Sequence, residues 1–130
     1  MTTPPRNTRQ RNAIRQAFDE STRPLSPQEV LDRGRRRVAN MSLATVYRTL
    51  AVLLEEKQIT RVELPGQPPL YELAGLKHHH HFHCDVCGRT FDIEGCPGDL
   101  SRMVPPGFEL KRHDLTLFGR CAACVAEDRR

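Results

Sequence analysis

Two C-x-x-C pairs, Cys84-Asp85-Val86-Cys87 and Cys121-Ala122-Ala123-Cys124, constrain this chain more than any other feature. Each such turn aims two thiolates at one point. Two turns brought together close a tetrahedral four-cysteine site that soft, redox-inert Zn2+ fills well. With sulfur at all four positions no coordination site stays open, so the expected role is structural. The alternative, a redox-active pair, needs a βαβ setting that this sequence does not offer. Cys96 is the odd cysteine; it reads as a partly buried free thiol, with a redox sensor or an alternate metal ligand as the other options.

A metal staple suits the size of the chain. One or two small domains are expected of 130 residues, and neither half can bury a large core alone. Hydrophobic residues at 38% and charged residues at 28% fit folded protein, while 10 prolines imply several sharp breaks. No apolar run is long enough to span a membrane. The opening MTTPPRNTRQRN lacks the apolar stretch of a signal peptide, so a cytoplasmic location without a membrane partner is expected. In a reducing compartment, spaced cysteines point to metal rather than to disulfides.

Along the first half the pattern is helical. Ile14, Ala17 and Phe18 recur at i, i+3 and i+4, with Thr8 as a candidate cap. Ser26-Pro27-Gln28-Glu29 is a capping box with proline at the first helical position, and this helix should run to about Gly34. Ser42 opens a third helix, Leu43 to about Lys57, with Val46, Leu50, Leu53 and Leu54 on one stripe. Three helices on short connections are the layout of a helix-turn-helix. From Ile59 the period becomes two, and Pro65-Gly66-Gln67-Pro68-Pro69 turns the chain into Leu70-Tyr71-Glu72-Leu73, a hairpin or "wing". Residues 75–77 read as a hinge between a winged-helix domain, 1–74, and a metal-binding domain, 78–130. Beyond the hinge, strands are expected near 79–84, 89–93 and 108–118, with a short helix near 98–104 and a terminal turn or helix from Cys121 to Asp128.

Charge is lopsided. Residues 1–76 carry 12 Lys+Arg against 8 Asp+Glu, and the remainder carries 8 against 8, so the whole net charge of +4 sits in the first half. That asymmetry suits a polyanion partner, although a basic helical surface is also an ordinary solvated face.

His78-His79-His80-His81-Phe82-His83 runs straight into Cys84. On a strand, His79, His81 and His83 would face one side and His78 and His80 the other. Two imidazoles at i and i+2 can share one metal, so the run supplies half of each of two sites. Asp92, Asp99, Glu72, Glu63 and His113 are the candidates to complete them. Mixed N/O sites suit Zn2+, Fe2+ or Mn2+, at lower affinity than an all-thiolate site, as a reversible sensor requires. His83 reads as a packed supporting residue rather than a ligand. No H-E-x-x-H or nucleophile motif is present, so an enzyme is not expected.

In this order of parts the chain resembles the ferric uptake regulator family over nearly its whole length. The specific pieces are Ser42-Leu43-Ala44-Thr45-Val46-Tyr47-Arg48-Thr49-Leu50, similar to the family's recognition helix, and the His run leading into Cys84-x-x-Cys87. The resemblance implies an α+β fold: an N-terminal winged helix-turn-helix, then a small α/β dimerisation domain with a four-cysteine zinc site. It implies a homodimer on a pseudo-palindromic operator of double-stranded DNA, with Tyr47 and Arg48 in the major groove. Arg can fork onto guanine and Tyr can pack on a thymine methyl. Thr45 belongs to the same reading helix, and Arg6, Arg9, Arg11 and Arg15 are read as phosphate or minor-groove contacts.

Carried over by position, the resemblance gives a regulatory site of Glu72, His79, His81 and Asp92, and a second site of His78, His80, Asp99 and His113. The chain departs from its relatives in two places. Pro24 stands where iron-type members place a histidine, and Thr60 and Ala74 stand where zinc-type members place an Asp and a Cys. Glu63 is a candidate for the missing oxygen, and the sensed metal stays open among zinc, iron and manganese. The expected function is a metal-dependent transcriptional regulator, in which bound metal closes two DNA-binding domains to a groove-matching spacing. A peroxide sensor of the same family and a zinc-storage or interaction module are the rivals.

Overall fold

The computed structural model describes residues 5–128. The elements follow in chain order: α1 (Arg6–Asp19), α2 (Pro27–Gly34), α3 (Leu43–Glu55), β1 (Ile59–Val62), β2 (Leu70–Leu73), β3 (His80–Cys84), β4 (Thr90–Ile93), β5 (Thr116–Gly119) and α4 (Ala122–Asp128). They form two compact units that divide between Leu76 and Lys77.

The first unit owes its shape to helix ends that the sequence spells out. At α2 the capping box closes: the Glu29 N–H donates to Ser26 Oγ at 3.1 Å, and the Ser26 N–H donates back to Glu29 Oε1 at 3.1 Å. Ser42 caps α3 through the Thr45 N–H at 3.2 Å. The start of α1 differs from expectation. Pro5 occupies the cap position without a side-chain bond, and Thr8 lies inside the helix, because Pro5 supplies a preset φ and the helix begins as soon as the chain leaves it. α3 stops at Glu55 and Lys57 takes a left-handed φ of 59°.

One apolar cluster joins the three helices and the wing. Ile14, Leu25, Val30, Met41, Val46 and Leu53 have no exposed surface, with Phe18 and Leu50 at 2%. Gly34 is a close-approach position, since a Cβ there would lie 2.9 Å from Met41 Sδ. β1 and β2 pair antiparallel, Ile59 opposite Leu73 and Arg61 opposite Tyr71. Leu25 adds an isolated antiparallel bridge by exchanging both backbone bonds with Tyr71, at 2.8 and 2.9 Å, which ties the helix connection to the wing.

The second unit is a three-stranded sheet in the order β4-β3-β5, with β4 antiparallel and β5 parallel to β3. Two expected elements are shorter than the sequence suggested. The helix near 98–104 is a single 3-10 turn at Ser101–Met103, and the strand expected over 108–118 is confined to Thr116–Gly119. Pro97, Pro105 and Pro106, with left-handed glycines at 98 and 107, break both repeats. No Leu, Ile, Val, Phe or Met side chain of this unit is buried among the described residues. Its buried side chains are Cys84, Cys124, His80, His83 and Thr90.

Candidate metal centres and reading helix

β3 ends in Cys84, and the turn after it returns Cys87. Past β5, the start of α4 presents Cys121 and Cys124. The sulfurs meet pairwise, Cys84 with Cys124 at 3.7 Å and Cys87 with Cys121 at 3.8 Å. A tetrahedron with Zn–S bonds of ~2.3 Å has edges of about 3.8 Å, so these two separations match tetrahedral edges, and all four sulfurs lie within 4.8 Å of one another. Cys84 Sγ accepts N–H bonds from Cys87 at 3.5 Å and Cys121 at 3.3 Å, and these backbone donors lower its pKa to about 6. Cys124 moves the other way, to about 12, chiefly because Cys121 and the other sulfurs crowd it. Four thiols so placed cannot all ionise without a cation, and a divalent cation is what the set is built to hold. Gly119 serves the approach: a Cβ there would lie 3.1 Å from the Phe82 ring.

The histidine run divides by face. His81 sits opposite Asp92 in the β3–β4 ladder, and Asp92 Oδ1 lies 3.4 Å from His81 Nε2 and 3.7 Å from His79 Nε2. The His79 and His81 rings are 4.9 Å apart. Two imidazoles and a carboxylate converging this closely are an N/O donor set for a divalent metal. Glu72 is buried on β2 of the first unit.

On the other side lie His78, His80 and His113. His78 Nε2 and His113 Nε2 are 3.3 Å apart, and the His80 ring lies 4.5 Å from His78 and 5.0 Å from His113. Burial, with the His78 and His113 rings, lowers the pKa of His80. Asp99 is not in this group. Its carboxylate accepts from the Ser101 N–H at 2.8 Å and the Ser101 hydroxyl at 2.9 Å, a local turn that engages it away from the histidines. Cys96 takes the place expected for Asp99, with Sγ 3.5 Å from His78 Nε2 and 3.3 Å from His113 Nε2. Sequence reasoning left an alternate metal ligand as one option for Cys96 but assigned Asp99, not Cys96, to this group. The available signal was an unpaired cysteine in Gly95-Cys96-Pro97-Gly98, just past a strand beside the histidines. His83 joins no metal group; it is buried, bonded to Thr90 Oγ1 at 3.0 Å and packed edge-on to Phe118. Glu63 is exposed and lies near Arg61.

α3 presents a reading surface. Tyr47 is 53% exposed and so is no core aromatic, because Val46 and Leu50 fill the buried stripe. Arg48 is exposed too, and donates to Thr45 Oγ1 at 3.0 Å. Thr45 is itself buried, accepts a second bond from Ser42 Oγ at 3.1 Å, and holds the Arg48 guanidinium rather than reaching outward. Arg11 pairs with Glu56, and Arg15 bonds Gln58 Oε1 at 2.7 Å and Asp19 at 3.3 Å.

Comparison with known proteins places this arrangement. A family model described as the ferric uptake regulator family matches residues 3–118. The ferric uptake regulation protein of Campylobacter upsaliensis is 34% identical over 89 residues, covering 66% of this chain and 57% of the relative, so the chain spans little more than half of that protein. The zinc uptake regulation protein of Mycobacterium tuberculosis is 32% identical over 124 residues, covering 92% and 94%. Among solved structures, the Helicobacter pylori ferric uptake regulator, with three functional metal binding sites, superposes at a TM-score of 0.70 with 28% identity, covering 89% of this chain and 79% of that one. A zinc uptake regulator complexed with zinc and DNA gives 0.58 at 28% identity, covering 93% and 84%. With its pattern matched across residues 3–118 and its fold shared with solved members, this chain belongs to the ferric uptake regulator family.

Proposed function

We propose that this protein is a cytoplasmic, metal-responsive transcriptional regulator, a homodimeric repressor of metal-uptake genes that binds operator DNA when its regulatory site is loaded. Zinc is the favoured metal, with iron or manganese as alternatives. The observation that carries the reading is one chain holding both an outward Tyr47–Arg48 pair on a capped helix and a His79–His81–Asp92 donor set.

For DNA, Arg48 is the base reader, steadied by Thr45, and Tyr47 supplies the apolar edge. Arg11 and Arg15 serve phosphates. Their present ion pairs are half-exposed, and such pairs are worth about 0–1 kcal/mol, so exchange for a phosphate costs little. For dimerisation, β5 is an edge strand carrying exposed Leu117 and Phe118, beside a unit with no buried aliphatic or phenylalanine side chain among the described residues. A second copy is the natural cover for such an edge. No helix among the described residues is long and apolar enough to cross a membrane.

For metal, His79, His81 and Asp92 form the regulatory set. A cation bound there supplies a cross-link that favours the DNA-competent arrangement. By linkage it tightens DNA binding only as far as it prefers that arrangement. The test is DNA binding by the His79→Ala/His81→Ala protein with and without added Zn2+, Mn2+ or anaerobic Fe2+. Metal stimulation should vanish while the four-cysteine zinc remains; unchanged stimulation would overturn the assignment.

A further inference from the structure

We propose that Cys96 is a thiolate ligand, completing a metal site of three imidazoles and one sulfur with His78, His80 and His113 that takes Zn2+ in preference to Mn2+ or Fe2+. Its regulatory meaning rests on the function proposed above; its coordination chemistry does not.

Three segments converge at the start of β3 to build this site. Ile93, the last residue of β4, pairs opposite His80, so the chain leaving β4 begins beside that histidine and reaches Cys96 three residues later. β5 runs parallel to β3, and the Leu115 N–H ahead of it bonds His80 Nδ1 at 3.1 Å, which brings His113 to the same end. One atom from each of His78, His80, Cys96 and His113 lies within 4.8 Å of the other three.

The separations match a tetrahedron. Bonds of ~2.0–2.1 Å to nitrogen and ~2.3 Å to sulfur give edges of about 3.4 Å between nitrogens and about 3.6 Å between nitrogen and sulfur. Here His78 and His113 are 3.3 Å apart, and Cys96 lies 3.5 and 3.3 Å from them. A second observation points to a ligand independently of the cysteine: His80 is only 2% exposed, and its Nε2 is buried with no hydrogen-bond partner among the described residues. A buried polar atom left so is costly, and coordination at Nε2 relieves it once the ring proton moves to Nδ1, which then gives up the bond from the Leu115 N–H. The Gly98 N–H donates to Cys96 Sγ at 3.5 Å and helps fix where the sulfur sits.

The sulfur changes what the site accepts. A carboxylate in this place gives an N/O set that Mn2+ and Fe2+ occupy readily; a thiolate shifts preference to soft-tolerant tetrahedral Zn2+. Three nitrogens and one sulfur also fill a tetrahedron, leaving no open position.

The experiment is Co2+ titration of the full chain with its four-cysteine site zinc-filled, followed by near-ultraviolet and visible absorption, in wild type, Cys96→Ser and Asp99→Asn. Zinc retention is verified by mass spectrometry. Wild type and Asp99→Asn should develop a thiolate-to-Co2+ charge-transfer band that Zn2+ abolishes and equimolar Mn2+ leaves. Cys96→Ser, an exposed loop change, should lack the band and bind the second-site metal at least about tenfold more weakly, since even outer partners of a ligand are worth that much. An undiminished band in Cys96→Ser with zinc retained, or loss of second-site binding in Asp99→Asn alone, would overturn the ligand assignment. Competition by Mn2+ equal to that of Zn2+ would overturn the selectivity. DNA enters none of these readings, so failure of the regulator hypothesis registers separately, as absent operator binding with the band intact.

Discussion

Removing zinc from the four-cysteine site should unfold the second unit and leave the first standing. The two units are held together differently. The first has a continuous apolar cluster from Ala13 to Tyr71. The second, Lys77 onward, buries no aliphatic or phenylalanine side chain among the described residues, and Cys84 and Cys124 are the centre of what it does bury. Burying a Leu or Phe contributes about 1.5–3 kcal/mol each, and this unit collects none of that at full burial. Structural zinc contributes roughly 10–16 kcal/mol in small modules, as much as the about 5–15 kcal/mol that a whole domain usually nets. Chelation, or Cys124→Ser, should therefore take away more stability than the unit retains. Amide resonances of β3, β4 and β5 should collapse to random-coil shifts, while those of α1–α3 and the wing stay dispersed and keep their own thermal transition. Acid should work in the same direction. Zinc needs all four thiolates, and with Cys124 at about 12 and Cys87 also raised, protons compete for the same sulfurs. Apparent affinity thus falls as pH falls, and calorimetry in buffers of different ionisation enthalpy should register proton release on binding. A chelated protein that keeps dispersed resonances over residues 80–119 and an unchanged melting profile would mean that the second unit stands without its metal.

Other expectations follow from single contacts. Arg48→Ala should cost about 1–3 kcal/mol of operator binding and relax preference at one base position, read by competition with substituted operators; uniform weakening on all sequences would make Arg48 a phosphate contact. Tyr47→Ala should leave the melting temperature of the first unit unchanged, because the ring is 53% exposed, while weakening operator binding; a large fall in melting temperature would return Tyr47 to the core. Ser26→Ala removes one side of the capping box and should cost about 1 kcal/mol in denaturant unfolding of the first unit, with metal content unchanged.

Much of this protein is written in local sequence. Ser26-Pro27-Gln28-Glu29 and Ser42 fixed the starts of α2 and α3, because a capping side chain bonds the backbone two or three residues away and needs no tertiary partner. The C-x-x-C spacing specified a four-cysteine centre for the same reason: each pair is a single turn. Strand alternation separated His79 and His81 from His78 and His80. What sequence could not settle depends on distant segments meeting. Asp99 and Cys96 were both candidates by type, and only the register of β4 on β3, with a local turn that occupies the Asp99 carboxylate, brings Cys96 to the histidines. The Thr45 hydroxyl that looked available to DNA is buried beneath Arg48, and the Arg11 and Arg15 guanidiniums are met by Glu56 and by Asp19 with Gln58, Glu56 and Gln58 coming from more than forty residues along the chain. Caps and knuckles are short-range bonds that the chain carries with it; coordination partners and ion pairs across elements exist only once packing has chosen which faces meet.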